Sequence, residues 1–373
     1  MEPRPVDFGA SETIPQVRPW LGDAERAAVD EVIASGWLTE GRQAKAFGDE
    51  LNTLMDAPYG VFAPNGTLAL ALGLMALGIA PGDEVLIPDT TFAGSANAVV
   101  MVGATPVFVD VERETFQLDV EQAEARVTRR TRAIMPVHLY GALCDMDAVT
   151  AFATAHGLRV IEDAAQAVGV RRGDRHAGTF GDVGCFSFFA DKTITTGEGG
   201  YVVCREPETY ARLLHLRNQG RLDRGTFVHP EIGYNFRITD MQAAIGRVQL
   251  AKLDAIIGAK RAHHAAYREG LTDLEAVRVL GGGSGVSFVP FRCVLMADRA
   301  HELMTYLEVR GIEARTVFAP LHEQPAFARW AGDGADFASS RYAFDHGVCL
   351  PVYPELSPAQ IARVIATIVD FYR

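Results

Sequence analysis

The stretch GDEVLIPDTTFAGSANAVVMVGATPVFVD, residues 82–110, contains one strand–helix–strand unit. Two short apolar runs, 85–88 and 106–109, flank a segment at 92–102 that has the length of a helix. Both runs are apolar throughout rather than at every second position, which is typical of strands covered on both faces. The stretch therefore predicts parallel strands connected by a helix.

The same alternation continues along the chain. Further apolar runs occupy 133–137 and 159–161, and a helical pattern at 146–155 lies between them. Strand-like runs that alternate with helical ones predict an α/β fold, with a mostly parallel sheet flanked by helices on both faces.

Beyond residue 238 the pattern changes. A long helical run extends to about residue 267, and it is followed by a predicted strand at 289–295 and a helix at 299–309. A last helix begins at Ser357-Pro358, where a capping residue precedes a proline in the first turn. We therefore expect two domains: a large α/β domain over 1–248 and a small C-terminal α+β domain over 249–373.

Composition excludes several classes of protein. The chain has 373 residues, 48% hydrophobic, and a formal net charge of −12. This balance argues against disorder and against nucleic-acid binding, because no basic stripe is present to neutralise phosphates. The N-terminal segment lacks the apolar region of a secretory signal, and no run is long enough to span a membrane. We therefore expect a cytoplasmic protein whose five widely spaced cysteines are reduced and buried.

The chain has only four lysines, and they differ in context. Lys45, Lys252 and Lys260 lie in polar helical patterns and are predicted to be solvated. Lys192 lies between two apolar runs in CFSFFADKTITTGEGGYVVC, residues 185–204. Desolvation there would lower its pKa and free the neutral amine to attack a carbonyl. From the residues alone, Lys192 is either a structural ion-pair partner or a lysine that forms a Schiff base.

A Schiff-base lysine suggests pyridoxal 5'-phosphate (PLP), which also needs a carboxylate, an anion site and a flat surface. Asp163 ends a predicted strand and could face the pyridine nitrogen, or it could cap a helix with Gln166. Gly66 and Thr67 open the helix at 68–77, where a phosphate could bind, although an ordinary helix cap has the same sequence. Phe92 could stack on the ring or pack in the core.

Other chemistries lack their motifs. The sequence has no GxGxxG after a strand, no GxxxxGK[ST], no HExxH and no GxSxG. Its cysteines and histidines do not have the spacing of a zinc site, so no metal is predicted. His138 and His322 are isolated and, on their own, indicate structural roles.

Taken together, the segments resemble the DegT/DnrJ/EryC1/StrS family of sugar aminotransferases, which have the type I PLP aminotransferase fold. The resemblance covers nearly the whole chain in the family's order. The segments that carry it include SGWLTEG at 35–41, NGTLALALGLMALGIAPGDEVLIPDTTFAGSANAV at 65–99, PVHLYG at 136–141, VIEDAAQAVG at 160–169, GTFGDVGCFSFFADKTITTGEGG at 178–200, IGYNFRITDMQAAIGRVQL at 232–250 and CLPVYP at 349–354.

The resemblance implies the roles of two residues. Lys192 would form the Schiff base with PLP and then move the proton during transamination, in which pyridoxamine 5'-phosphate (PMP) is the intermediate form of the cofactor. Asp163 would pair with the pyridine nitrogen. The family's 3-dehydratase branch has histidine at the lysine position, so the lysine here implies amino transfer.

The resemblance also implies a set of residues that contact the phosphate and the ring. They are Gly66, Thr67 and Ser187 for the phosphate, Phe92 for one face of the ring, and Gln166 for the ring hydroxyl. Asn235, in GYNFR, would reach a phosphate across a subunit interface. A homodimer with shared active sites is therefore implied.

Within the family, the segments are most similar to the branch that moves the amino group of glutamate to C4 of GDP-4-keto-6-deoxy-mannose. The chain departs from that branch at Ala190-Asp191, at EDAAQA and around 287–289, so UDP- or dTDP-linked keto sugars, aminated at C4 or C3, stay open as substrates. A non-catalytic regulator that binds PLP or a sugar nucleotide is a further alternative. The loop 281–285 and the segment from Arg315 to His322 are the expected positions of substrate-binding residues.

Overall fold

The computed structural model describes residues 13–221, 227–281, 288–332 and 336–373. Of the loop at 281–285 that the sequence indicates for substrate choice, only Gly281 belongs to these ranges.

The strands follow the predicted alternation. In chain order they are β1 Tyr59–Ala63, β2 Glu84–Pro88, β3 Thr105–Val109, β4 Thr131–Ile134, β5 Arg159–Asp163, β6 Arg171–Arg172, β7 Arg175–His176, β8 Val183–Ser187, β9 Gly200–Cys204, β10 Val277–Val279, β11 Cys293–Ala297, β12 Arg315–Thr316 and β13 Gly347–Leu350.

Two of the helices precede β1, one follows β13, and the others lie between strands. They are α1 Asp23–Ser35, α2 Arg42–Met55, α3 Gly66–Ala76, α4 Ala93–Met101, α5 Val120–Glu124, α6 Met146–His156, α7 Pro207–Arg217, α8 Asp240–Ala251, α9 Leu253–Gly270, α10 Ala300–Glu308, α11 Ala338–His346 and α12 Pro358–Phe371.

The large sheet has seven strands in the order β1-β9-β8-β5-β4-β2-β3. The five strands from β8 to β3 are parallel, while β9 runs antiparallel to both of its neighbours. In the opening unit, β2 and β3 pair in parallel with Val85 opposite Pro106, and α4 connects them. The predicted α/β fold is confirmed.

The strands are apolar throughout because the sheet is buried on both faces. Leu86 packs in one core cluster with residues of α2 and α6, such as Phe47 and Val149. Its neighbours Val85 and Ile87 point to the other face and pack in a second cluster with α3 and α4. Successive side chains of a strand alternate between faces, so covering both faces requires apolar residues at every position.

The charge-free stretch at 57–82 forms β1 and α3, and α3 lies in the second core cluster. Across the described ranges, no helix combines the length and the hydropathy needed to cross a membrane.

A smaller antiparallel sheet, in the order β10-β11-β13-β12, lies in the C-terminal part. Helices α9, α10 and α12 pack together with it around a separate core cluster. The strand predicted at 289–295 begins later, at Cys293, and the predicted long helical run is interrupted at Lys252. The domain boundary at residue 248 stays a prediction.

One long-range helix cap joins α2 to α8. The buried Asp240 carboxylate accepts hydrogen bonds from the N–H groups of Gly41 (2.8 Å), Gln43 (3.1 Å) and Ala44 (3.0 Å). These groups open α2, whose own capping residue, Gly41, has no side chain to offer. A carboxylate distant in sequence therefore satisfies the first turn of this helix.

We expect Asp240→Ala to lower the free energy of unfolding by about 2–3 kcal/mol, because three N–H groups, of which that of Ala44 is buried, lose a charged acceptor. Urea unfolding followed by circular dichroism measures this change. Asp49→Ala is the matched control, since Asp49 forms an exposed pair with Lys45 and its loss should cost less than about 0.5 kcal/mol. Equal midpoints for the two variants would contradict the importance of the cap.

Candidate active site

Two helix N-termini and two strand ends converge at the carboxyl edge of the large sheet. Helix α3 begins after Asn65, whose side chain accepts the N–H of Leu68 at 2.9 Å. The first N–H groups of a helix have no partner within it, so those of Gly66 and Thr67 lie at the open end of α3. Such a helix end favours an anion.

Close backbone approach shapes this edge. A Cβ atom on Gly66 would lie 2.7 Å from Cβ of Ser187, at the end of β8. A Cβ atom on Gly94, in the first turn of α4, would lie 2.9 Å from Oγ1 of Thr67. The structure therefore brings Gly66, Thr67 and Ser187 together, as predicted for residues that share one anion.

Asp163 is buried at the end of β5. Its carboxylate accepts hydrogen bonds from the Ser95 hydroxyl (2.7 Å) and the Ala165 N–H (3.1 Å). Burial raises the pKa of Asp163, while these two donors and the positive charge of Lys192 act in the opposite direction. The predicted capping box with Gln166 does not form, because the residues after Asp163 form turns rather than a helix.

Lys192 lies on the loop between β8 and β9 and is partly buried. Its ammonium lies 4.5 Å from the centroid of the Phe291 ring. Burial lowers the pKa of Lys192; the charges of Asp191 and Asp163 oppose this effect and Arg292 adds to it. The neutral, nucleophilic amine is therefore populated at a lower pH than in an exposed lysine.

Two further predicted residues lie around the same edge. Phe92 is the N-cap residue of α4 and is 59% exposed, so it is not a core residue; the centroid of its ring lies 5.8 Å from that of Phe318. Gln166 is buried and accepts the N–H of Tyr140 at 2.6 Å. Phe92 therefore offers an aromatic surface to the site.

The structure does not join Asn235, Arg315 or His322 to this group. Asn235 is exposed and forms a β-bridge with Asn218. Arg315 is exposed in β12. His322 is held by the Asp89 carboxylate, which accepts the backbone N–H of His322 at 2.8 Å and lies 2.7 Å from Nδ1 of its ring. Within this chain His322 thus has a structural partner.

Two of the lysine predictions are wrong. Lys260 is buried, with its ammonium 3.4 Å from the carbonyl oxygen of Phe291 and its pKa lowered by burial to about 7. Lys252 is half-buried and forms an ion pair with Glu25 at 2.6 Å. Lys45 is exposed beside Asp49, as predicted.

Sequence reasoning also missed Ser95, Phe291 and Arg292. Ser95 follows Phe92 by three residues, which places both in the first turn of one helix, so the spacing could have indicated it. Phe291 and Arg292 precede β11, far from Lys192 in sequence, and no motif marks them.

His138 is buried and its hydrogen bonds are satisfied. It lies 2.8 Å from Glu162, whose carboxylate also accepts the N–H groups of Gly178, Phe180 and Gly181. Over the described part of the chain, no cluster of histidine, cysteine and carboxylate side chains could hold a metal ion.

A lysine whose pKa is lowered by burial, a buried carboxylate and an anion site at an open helix end suit PLP, so the fold and site define a PLP-dependent enzyme. The model of the DegT/DnrJ/EryC1/StrS aminotransferase family matches residues 19–369. The chain belongs to this family and is a PLP-dependent sugar-nucleotide aminotransferase.

Curated relatives cover nearly the whole chain. The GDP-perosamine synthase of Escherichia coli O157:H7 is 38% identical over 366 residues, which is 96% of this chain and 98% of the relative. The UDP-N-acetyl-3-dehydro-alpha-D-glucosamine 3-aminotransferase of Acidithiobacillus ferrooxidans is also 38% identical, over 94% of each chain.

Solved structures agree in fold. DesV of Streptomyces venezuelae, solved in complex with a ketimine intermediate, has a TM-score of 0.90 and 36% identity over 96% of this chain and 99% of that one. The sugar aminotransferase Spr1654 of Streptococcus pneumoniae, solved in PLP and PMP forms, has a TM-score of 0.90 and 26% identity over 95% of this chain.

We expect Gly66→Ala to weaken PLP binding at least tenfold, because the added methyl group would crowd Ser187 at the open end of α3. Fluorescence titration of the apoprotein with PLP measures this affinity. Gly258→Ala is the control, since Gly258 is a helical residue with no atom within 4 Å of an added Cβ. Unchanged PLP affinity in Gly66→Ala would contradict a phosphate site there.

Proposed function

We propose that the protein transfers the amino group of glutamate to C4 of GDP-4-keto-6-deoxy-mannose and so produces GDP-perosamine. The observation that carries amino transfer is that the partly buried Lys192 and the buried Asp163 lie at one edge of the sheet, within electrostatic reach of each other. The choice of sugar is supported by GDP-perosamine synthases among the relatives, at 36–38% identity in three bacteria.

Lys192 and Asp163 have different roles: Lys192 transfers protons, and Asp163 provides a negative charge at the pyridine nitrogen. As a neutral amine, Lys192 accepts the α-proton of glutamate at Nζ, and as an ammonium it returns a proton to C4 of the sugar. The bound cofactor supplies the carbonyl that receives the amino group and the ring that takes up the electrons of the broken C–H bond. Asp163 holds the pyridine nitrogen protonated, and Ser95 fixes the orientation of the carboxylate.

The phosphate end has its own set of residues in this proposal. The N–H groups of Gly66 and Thr67 and the hydroxyls of Thr67 and Ser187 hold the phosphate at the start of α3. Phe92 covers one face of the ring, and Gln166 contacts the ring hydroxyl. Arg315 and His322 are proposed to bind the sugar nucleotide.

A second acceptor is favoured by a specific observation. The A. ferrooxidans relative, named for a UDP-linked sugar and C3, is as similar as the E. coli relative. We therefore keep transfer to a UDP- or dTDP-linked keto sugar, at C3 or C4, as the alternative.

We also propose a cytoplasmic location, since all five cysteines are free and buried.

We expect glutamate to bleach the visible absorption of the bound cofactor, because the amino group moves onto it. Addition of GDP-4-keto-6-deoxy-mannose should then restore the band as the amino group moves to the sugar. Stopped-flow absorption measures both half-reactions, and UDP- and dTDP-linked keto sugars are the matched controls. Mass spectrometry of the product shows the added amino group.

Each outcome of this experiment assigns a different function. Recovery with only a UDP- or dTDP-sugar would replace the GDP-sugar by that acceptor. A cofactor band that no amino donor bleaches would contradict catalysis and favour the non-catalytic regulator.

We further propose a homodimer in which Asn235 serves the active site of the partner. An exposed apolar surface adjoins Asn235 in sequence: Phe227 is 86% exposed, Ile232 83% and Val228 67%. Exposed apolar side chains of this size are typical of an interface. Asn235 is exposed on the same segment, so a second copy could receive it.

We expect Lys192→Ala and Asn235→Ala each to lose most activity when pure, and a mixture of the two to regain about a quarter of it. If each site takes Lys192 from one subunit and Asn235 from the other, every mixed dimer has one intact site. Activity after mild unfolding and joint refolding measures the recovery.

Lys45→Ala mixed with Asn235→Ala is the matched control: Lys45 is exposed and the Lys45→Ala protein is itself active, so this mixture should show about half of the full activity both before and after subunit exchange. Absence of recovery with Lys192→Ala, despite mixed dimers seen by native mass spectrometry, would place Asn235 outside the partner's site.

A further inference from the structure

The Phe291-Arg292 pair brings the C-terminal part of the chain against the proposed catalytic lysine. The ring of Phe291 contacts two cations, with the Lys192 ammonium 4.5 Å and the Arg292 guanidinium 4.6 Å from its centroid. Both backbone polar groups of Phe291 are hydrogen-bonded: its N–H donates to the carbonyl oxygen of Tyr140 at 3.1 Å, and its carbonyl oxygen accepts from the Lys260 ammonium. The ring is therefore a rigid platform for Lys192.

Arg292 itself bridges two separate segments. Its guanidinium donates to the Asp191 carboxylate at 2.5 Å and to the side-chain oxygen of Gln16 at 2.8 Å. The side chain of Arg292 is only 10% exposed. A buried guanidinium needs such acceptors, so the position of Asp191 is strongly fixed.

A small cavity of about 20 Å³ adjoins this cluster and is lined by Lys192, Asp191 and Lys260 among others. Three buried polar atoms of its lining have no hydrogen-bond partner among the described residues: Nε2 of Gln16, Oδ1 of Asp191 and Oγ1 of Thr193. Buried polar atoms are seldom left unsatisfied without a functional reason. The cluster is therefore more than a packing contact.

We propose that Arg292 is a positioning residue for amino transfer: by binding the Asp191 carboxylate it directs that charge away from Lys192 and holds the Lys192 backbone so that the amine lies over Phe291. This inference rests on the proposed role of Lys192. Arg292 touches neither substrate nor cofactor in this account and acts through Asp191.

The charges around Lys192 determine the direction in which each substitution should move its pKa. The groups that act on it are Asp163 from β5, Asp191 from its own loop and Arg292 from the segment before β11; Lys260 of α9 lines the same cavity. Both carboxylates raise the pKa of Lys192 and Arg292 lowers it. Removal of Arg292 or of the Asp191 charge should therefore shift the titration of Lys192 in opposite directions.

The experiment measures the amine directly. The apoprotein is labelled with trace acetic anhydride over a range of pH, and peptide mass spectrometry follows Lys192, which is readily resolved among four lysines. We expect Arg292→Gln to move the midpoint of labelling up by about one pH unit and Asp191→Asn to move it down by a similar amount. The double variant should return between the two.

The control variants separate charge from folding. Arg292→Lys, which keeps the charge, should show less than half of the Arg292→Gln shift, and Arg299→Gln, which removes an exposed arginine paired with Glu302, should show none. If Arg292→Gln does not fold, Asp191→Asn and Arg292→Lys still test the sign. In the holoenzyme, the pH at which the cofactor absorption changes should follow the same order.

Midpoints that stay unchanged in Arg292→Gln and Asp191→Asn, or that move in the same direction, would overturn the proposal and leave Arg292 a structural residue. The labelling needs no turnover, so it is independent of the proposed function. That function would fail instead if Lys192→Ala protein still transferred amino groups.

Discussion

The fold depends on buried carboxylates at the carboxyl edge of the parallel sheet that accept hydrogen bonds from distant backbone. Asp89, which follows β2, binds His322, and Asp110, which follows β3, accepts the N–H groups of Ser339 and Ser340. Glu162, within β5, accepts three N–H groups of the loop before β8. A buried carboxylate is costly without donors, so each one selects the segment that must pack against it.

Asp163 belongs to the same edge but is used differently. Its neighbours provide two hydrogen bonds, from Ser95 and Ala165, whereas Glu162 receives three from backbone and one more contact from His138. Adjacent carboxylates on one strand thus point to opposite faces, one to a closed loop and the other to the proposed cofactor site. The alternation of side chains along β5 therefore separates Glu162, which has a structural role, from Asp163, which is proposed to contact the cofactor.

The sequence predicted the strands and helix starts, which depend on neighbouring residues, but not the contacts between residues far apart in the chain. The apolar runs gave correct strands because both faces of the sheet are covered, and the turn at Asn65 gave the start of α3. Lys260 was mispredicted because its helix looks amphipathic, whereas residues distant in sequence, among them Phe291, pack against it. The cluster of Arg292 with Asp191 could not be predicted, since it joins residues 101 positions apart.

The tether between Asp89 and His322 has a consequence for how a sugar nucleotide reaches the site. Together with the bond from Ser340 to Asp110, it ties His322 and Ser340 to the rim of the large sheet, and separation there would strand two buried anions at a cost of several kcal/mol. A hinged, clamshell-like opening of the C-terminal part is therefore disfavoured. The rim is therefore expected to keep a fixed shape, so that substrates of different size are sorted by their fit to it rather than by closure around them.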